Sequence, residues 1–228
     1  MNQAGNIRWT HFDSVESLRH KACDAIVACA QAAIEKNGRF SIVLAGGNTP
    51  RAIYRLLREA KADWSKWHVY HGDERCLPSD HVDRNSLMAR QAWLQYVNVP
   101  ASQVHDIPAE LGNVTGAEVY SDTLKNIGTF DMVILGLGED GHTASLFPNH
   151  VVNNSADAVP VFNSPKPPSD RVTLSQNRLC DTHHVLFLVT GVGKQEAVDH
   201  WRQGVAIPAS LITAKDVVDV YSYEVVLN

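Results

Sequence analysis

Short apolar runs alternate with amphipathic helical stretches from one end of this chain to the other, and few folds accept that pattern. Ser14 to Asn37 carries Val15, Leu18, Ala22, Ala25, Ile26, Cys29 and Ala33 at helical spacing, with Ser14 placed to cap its start and Gly38 to stop it. Phe40-Ser41-Ile42-Val43-Leu44-Ala45 is short and continuously apolar, as a strand buried on both faces of a parallel sheet would be. Gly46-Gly47-Asn48-Thr49 breaks it, and Pro50 opens a helix through Ile53, Leu56 and Leu57, where a missing N–H costs nothing. Trp67 to Tyr70, Phe130 to Leu135, Arg171 to Leu174 and His184 to Thr190 read as further strands, with a last one inside 217–226. Helices are expected over 85–96, 116–126 and 195–202. Asn163 to Asp170, with three prolines, reads as a surface loop. Such repeated strand–loop–helix units predict an α/β fold with a parallel sheet covered by helices on both faces. With 228 residues and no internal repeat or linker, residues 1–228 are expected to form a single domain.

The charge balance narrows the partners. A formal net charge of -5 argues against nucleic acid, whose binders are usually basic, and leaves room for one basic pocket. Cys23, Cys29, Cys76 and Cys180 form no C-x-x-C pair, so reduced, structural thiols are expected. Met1 to Asp13 lacks a signal-type apolar region, and no run approaches a membrane span. The expectation is a cytoplasmic monomer or small homo-oligomer that touches no membrane.

In open α/β sheets, ligands bind beyond the carboxyl ends of the strands. At those ends stand Gly46-Gly47-Asn48-Thr49, Asp73-Glu74-Arg75, Gly138-Glu139-Asp140-Gly141-His142 and Gly193-Lys194. The Gly46–Thr49 turn suits a phosphate, because a helix start presents free amides and a positive dipole end; an ordinary capped turn fits equally well. Gly136, Gly138 and Gly141 spell the dinucleotide pattern, but Glu139-Asp140 stands where a pyrophosphate would approach, and no cofactor is expected. His142 is the candidate general base, with an ordinary pKa of about 6.5 that leaves it neutral near pH 7, and Asp140 can orient its ring. Arg75, Arg171 and Lys194 are each, taken singly, ordinary cations. No metal is expected: His183 and His184 are adjacent in a strand, and His68 and His71 three apart, so neither pair shares a face.

Taken together, AGGNTP (Ala45 to Pro50), GDERCLP (Gly72 to Pro78), RNS (Arg84 to Ser86) and GLGEDGHTASLFP (Gly136 to Pro148) resemble the signature blocks of the glucosamine-6-phosphate isomerase/6-phosphogluconolactonase family, in its lactonase branch. RVTL (Arg171 to Leu174), GVGK (Gly191 to Lys194) and PAS (Pro208 to Ser210) extend the resemblance over nearly the whole chain. It implies a modified Rossmann-like fold, 6-phospho-D-glucono-1,5-lactone as the small-molecule partner, and a place in the oxidative pentose phosphate pathway. It also implies phosphate binding by Gly46, Gly47, Asn48, Thr49, Arg171 and Lys194, with His142 as base and Asp73 and Arg75 at the lactone end. The mechanism this suggests is water attack without metal, the oxyanion being met by Arg75 and by backbone amides at Gly138 and Gly141. Two positions depart from the family: Asn48, where serine is commoner, and Ser222, where an acidic residue is frequent. Two rivals remain. A glucosamine-6-phosphate deaminase would need a carboxylate soon after His142 to open a ring, and Ala144 to Pro148 has none. A sugar-phosphate sensor would need an attached DNA-binding segment.

Overall fold

The computed structural model describes residues 6–151 and 153–227. Met1 to Gly5, part of the segment read above as lacking a signal-type region, lie outside the described residues. In chain order the elements are β1 Ile7–His11, α1 Val15–Asn37, β2 Phe40–Leu44, α2 Asn48–Leu57, β3 Trp67–His71, β4 Asp73–Arg75 and α3 Asn85–Ala92. They continue with β5 Val104–His105, α4 Asn113–Leu124, β6 Phe130–Gly136, β7 Ala158–Val161 and β8 Arg171–Leu174. The last are α5 Gln176–Cys180, β9 Thr182–Thr190, α6 Gln195–Arg202 and β10 Val217–Tyr223.

Seven strands form one sheet in the order β1-β10-β9-β6-β2-β3-β5, and every pairing in it is parallel. Successive side chains point to opposite faces, and the core divides accordingly. Phe40, Ile42 and Leu44 of β2 pack with Leu18, Ile26, Ile53, Leu57 and Ala89 from α1, α2 and α3. Val43, Val133, Leu135 and Phe187 face the other way, against Tyr120, Val198 and Trp201 from α4 and α6. The two-faced cover explains why the central strands are apolar throughout rather than alternating.

Helix α1 begins and ends where local chemistry dictates. Ser14 Oγ accepts from the Ser17 amide at 3.1 Å, and Gly38, at φ 73°, sends its N–H back to the Ile34 carbonyl. The helix expected over 85–96 stops at Ala92 and passes into a 3-10 turn over Leu94–Tyr96, where buried Trp93 leaves helical geometry.

One expectation is corrected. Arg171–Leu174 is not part of the parallel sheet; it is the middle strand of a small antiparallel sheet, β4-β8-β7. Asp73 lies opposite Thr173, and Arg75 opposite Arg171. Periodicity marks a strand but not its partner, and this partner is a three-residue strand with no apolar residue at all. Pro160 sits in β7, an edge strand, where a missing N–H is tolerated. Ser222, the departure in the last strand, is buried and reaches the Thr10 carbonyl of β1 at 3.4 Å.

Candidate active site

From β2 the chain runs outward through β3 and β5 on one side, and through β6, β9 and β10 on the other. The strand order therefore reverses between β2 and β6, and ligand crevices of open sheets open at such a point. A cavity of about 220 Å³ lies there. Gly46, Gly47, Asp73, Arg75, Gly138, His142, Lys166, Arg171 and Lys194 all line it. Asn48 and Thr49 do not: Asn48 accepts from Arg51 at 2.8 Å, and the Thr49 hydroxyl meets that of Thr190 at 2.7 Å. Asp140 and Gly141 also stand behind the lining.

His142 is the centre of this arrangement. Its Nδ1 lies 2.5 Å from Asp140 Oδ1, so Nδ1–H donates to the carboxylate and the lone pair is placed on Nε2. Phe147 packs against the ring, with centroids 4.7 Å apart. Burial pushes the imidazole below its ordinary pKa; Asp140, and more weakly Asp73, oppose that, while Lys166 adds to it. Burial would raise the Asp140 carboxyl, but hydrogen bonds from His142 outweigh that and hold it below the usual range. The product is an imidazole kept neutral and fixed in one tautomer, as a general base must be.

Glycine is required at Gly138. A Cβ there would land on His142 Nδ1 and on the Asp140 carboxylate, so only a bare backbone lets the pair form. Gly138→Ala is therefore expected to displace the imidazole by about 1 Å and to lower turnover by roughly 10²-fold, with the fold retained. Circular dichroism alongside a rate assay checks it, and an alanine variant of unchanged rate would contradict the reading. The amides of Gly138 and Gly141 are already spent: Gly138 N–H donates to the His142 carbonyl at 2.7 Å and Gly141 N–H to the Gly138 carbonyl at 3.1 Å. These two glycines shape the turn and offer no free donor to an oxyanion.

The cations divide into engaged and free. Arg171 is buried and spends its donors on the loop before it: Nη2 reaches the Lys166 and Pro167 carbonyls, both at 3.0 Å, and Nε the Pro168 carbonyl at 3.3 Å. That clamp sets Lys166 on the cavity wall. Lys166 and Lys194 make no ion pair among the described residues. Burial pushes the Lys194 ammonium down, Glu139 supports it, and Lys166 repels it. Arg75 donates Nη1 to the Asp83 carbonyl at 2.5 Å, and its Nε is buried without a partner. Helix α2 starts at Gly47 (φ 105°) with no side chain capping its first-turn amides. The cavity thus combines an uncapped helix start with several cations, which is the setting for an anionic group.

Lys166 was not foreseen, because it sits in the proline-rich stretch read as a surface loop. Nor was the support for Asp73, which accepts from Ser145 Oγ at 2.6 Å and from Asn85 Nδ2 at 3.2 Å. The RNS block held the signal for Asn85, whose side chain fills the space against Gly46 that a Cβ there would need. Among the described residues, no group of three or more His, Cys, Asp or Glu side chains is arranged to hold a metal ion.

Comparison with known proteins gives the family. A family model described as glucosamine-6-phosphate isomerases/6-phosphogluconolactonase matches residues 13–221. A 6-phosphogluconolactonase from Nostoc sp. is 36% identical over 191 residues, which is 80% of this chain and 79% of the relative. One from Mycobacterium leprae is 36% identical over 203 residues, 82% of each. The crystal structure of 6-phosphogluconolactonase from Thermotoga maritima superposes with a TM-score of 0.87 at 26% identity, covering 96% of this chain and 99% of that one.

Proposed function

Because the chain belongs to the glucosamine-6-phosphate isomerase/6-phosphogluconolactonase family, we propose that it hydrolyses 6-phospho-D-glucono-1,5-lactone to 6-phospho-D-gluconate in the oxidative pentose phosphate pathway. The observation that carries the mechanism is the His142–Asp140 pair, whose free Nε2 belongs to a ring that lines a cation-rich cavity. The relatives named above are lactonases, which supports the reaction.

In this reading His142 Nε2 takes a proton from water, and the hydroxide adds to the lactone carbonyl carbon. Arg75, whose side chain lines the cavity, meets the oxyanion that forms. Collapse breaks the bond from that carbon to the ring oxygen, and His142 returns its proton to the departing oxygen. Asp140 balances the imidazolium between the two steps. The phosphate rests against the Gly46-Gly47 turn and the start of α2, with Lys194 and Lys166 as counter-charges and Arg171 acting through the loop it clamps. Asp73 faces the sugar or the water.

This scheme calls on no cofactor or metal. We read the chain as one domain acting in the cytoplasm, where the free thiols of its four cysteines would remain reduced. No helix among the described residues is long and apolar enough to cross a membrane.

The test is acid release from freshly prepared 6-phosphogluconolactone, measured against spontaneous hydrolysis, with ammonia release from glucosamine 6-phosphate assayed in parallel. Acceleration of the first without the second is the expected result. Ammonia release would assign the deaminase reaction instead, and binding without turnover of either would leave a sensor.

A further inference from the structure

Ser145 is fully buried, and the chain bends awkwardly to put it where it is. Ala144, just before it, has φ 48°, a left-handed conformation that alanine seldom adopts. It is a corner of a tight turn closed by the Leu146 N–H on the Thr143 carbonyl at 2.9 Å. Backbone strain of this kind persists only where surrounding contacts enforce it. Its local effect is to aim Ser145 Oγ between two buried charges. The hydroxyl donates to Asp73 Oδ2 at 2.6 Å and accepts from Arg171 Nη1 at 3.5 Å. The charges themselves stay 3.9 Å apart, although both side chains are over 90% buried. An unobstructed arginine–carboxylate pair closes to about 2.7–2.9 Å, and often bidentately.

We propose that Ser145 is a positioning residue, a bridging hydroxyl that keeps Asp73 and Arg171 from collapsing onto each other. Both partners have other work. Asp73 lines the cavity, and Arg171 holds the Lys166, Pro167 and Pro168 carbonyls. Without the hydroxyl, Arg171 turns to Asp73, Asp73 withdraws from the cavity wall, and the loop carrying Lys166 loses its clamp. The consequence for catalysis rests on the proposed lactonase reading; the consequence for the loop does not.

The test is hydrogen exchange on the full-length chain. In Ser145→Ala, the amides of Ser164 and Lys166, now bonded to the Ser169 carbonyl and to Ser164 Oγ, should exchange about tenfold faster, while the amides of β6 and β9 keep their protection. Adding Asp73→Asn removes the charge that attracts Arg171 and should restore the loop to near wild-type exchange. A cavity or general loosening caused by the alanine would not be repaired in this way. Ser145→Cys, which keeps the volume but donates poorly, should behave like the alanine variant and serves if that one folds badly. Unchanged exchange in both single variants, or a double variant as loose as Ser145→Ala, would overturn the proposal. Turnover is measured separately: a wild-type chain that did not hydrolyse the lactone would remove the proposed function and leave the exchange result to decide the bridge. If the lactonase reading holds, Ser145→Ala should also lower kcat/KM by roughly 10²-fold, as expected when a cavity-lining group is displaced by about 1 Å.

Discussion

Replacing His142 with alanine is expected to lower the enzymatic hydrolysis of 6-phosphogluconolactone by roughly 10²–10⁴-fold, the usual contribution of a positioned general base. The fold should be unaffected, because the ring stands at the cavity wall and the turn beneath it is held by backbone bonds of Gly138 and Gly141. Asp140→Asn should reproduce much of the loss while leaving the imidazole in place: an amide can present an N–H to Nδ1 and so move the lone pair away from Nε2. The pH profile carries an independent signature. His142 works as a base only when neutral, so kcat/KM should fall as pH drops through its pKa. Burial sets that pKa below the ordinary value of about 6.5, so the acidic limb should lie below that pH. Asp140→Asn removes the group that raises it, and the limb should move lower still. Stopped-flow rates between pH 5 and 8 provide the check. A His142→Ala enzyme with an intact rate would move the proton transfer to another group, and an acidic limb above pH 7 would contradict the buried environment.

What could be read from the residues alone depended on whether the signal was local. Helix α1 was legible because Ser14, the apolar stripe and Gly38 all lie within one stretch, and each does what its chemistry suggests. The central strands were legible because burial on both faces leaves a continuous apolar run. Strand β1 was not, since it sits at the sheet edge and its side chains are only partly covered. The second sheet was hidden for a different reason. Asp73-Glu74-Arg75 looks like a polar loop, and only its pairing with Arg171 to Thr173 makes it a strand. That pairing also changes the part Arg171 plays. Taken singly it was an ordinary cation, and the family resemblance implied a direct phosphate contact, whereas its Nε and Nη2 turn back onto carbonyls three to five residues earlier. Lys166 stands at the cavity because of that clamp, and no pattern within Asn163 to Asp170 announces it. The His142–Asp140 pair was recoverable because both members lie in one turn, two residues apart.

Glu74 was read with Asp73 and Arg75 as part of a polar triplet, and it proves to be the support on which its neighbours stand. Its carboxylate is fully buried, and it accepts from the amides of Arg75 at 2.9 Å and of Asn85 and Ser86 at 2.8 Å each. It thereby caps the start of α3 and ties that helix to β4, where an anion is also favoured by the helix dipole. Arg84 Nε lies 3.1 Å from Glu74 Oε2, close enough for an ion pair although its N–H is poorly aligned for a hydrogen bond. The rest of the guanidinium is tied to the Leu77 and Ile107 carbonyls and to Glu110. Glu74→Ala would strand three amide donors and leave an almost fully buried arginine with only the partly exposed Glu110 as counter-charge. Losing one partner of a buried pair costs about 3–5 kcal/mol. In a protein of this length each kcal/mol moves the melting temperature by about 2–4 °C, so Tm should fall by roughly 6–20 °C. Glu74→Gln keeps one accepting oxygen for the Arg75 and Asn85 amides but sets an NH2 against the Ser86 amide and Arg84, so its drop should be smaller than that of the alanine variant; the difference between the two measures the amide bonds that the remaining oxygen keeps. Activity measured well below each variant's Tm should also fall, because Asp73 and Arg75 flank Glu74 in the same short strand and line the cavity. A Glu74→Ala chain that melted with the wild type would mean that water or Glu110 satisfies Arg84 and the three amides equally well. The strand bearing Asp73 and Arg75 would then owe its position to β8 rather than to this carboxylate.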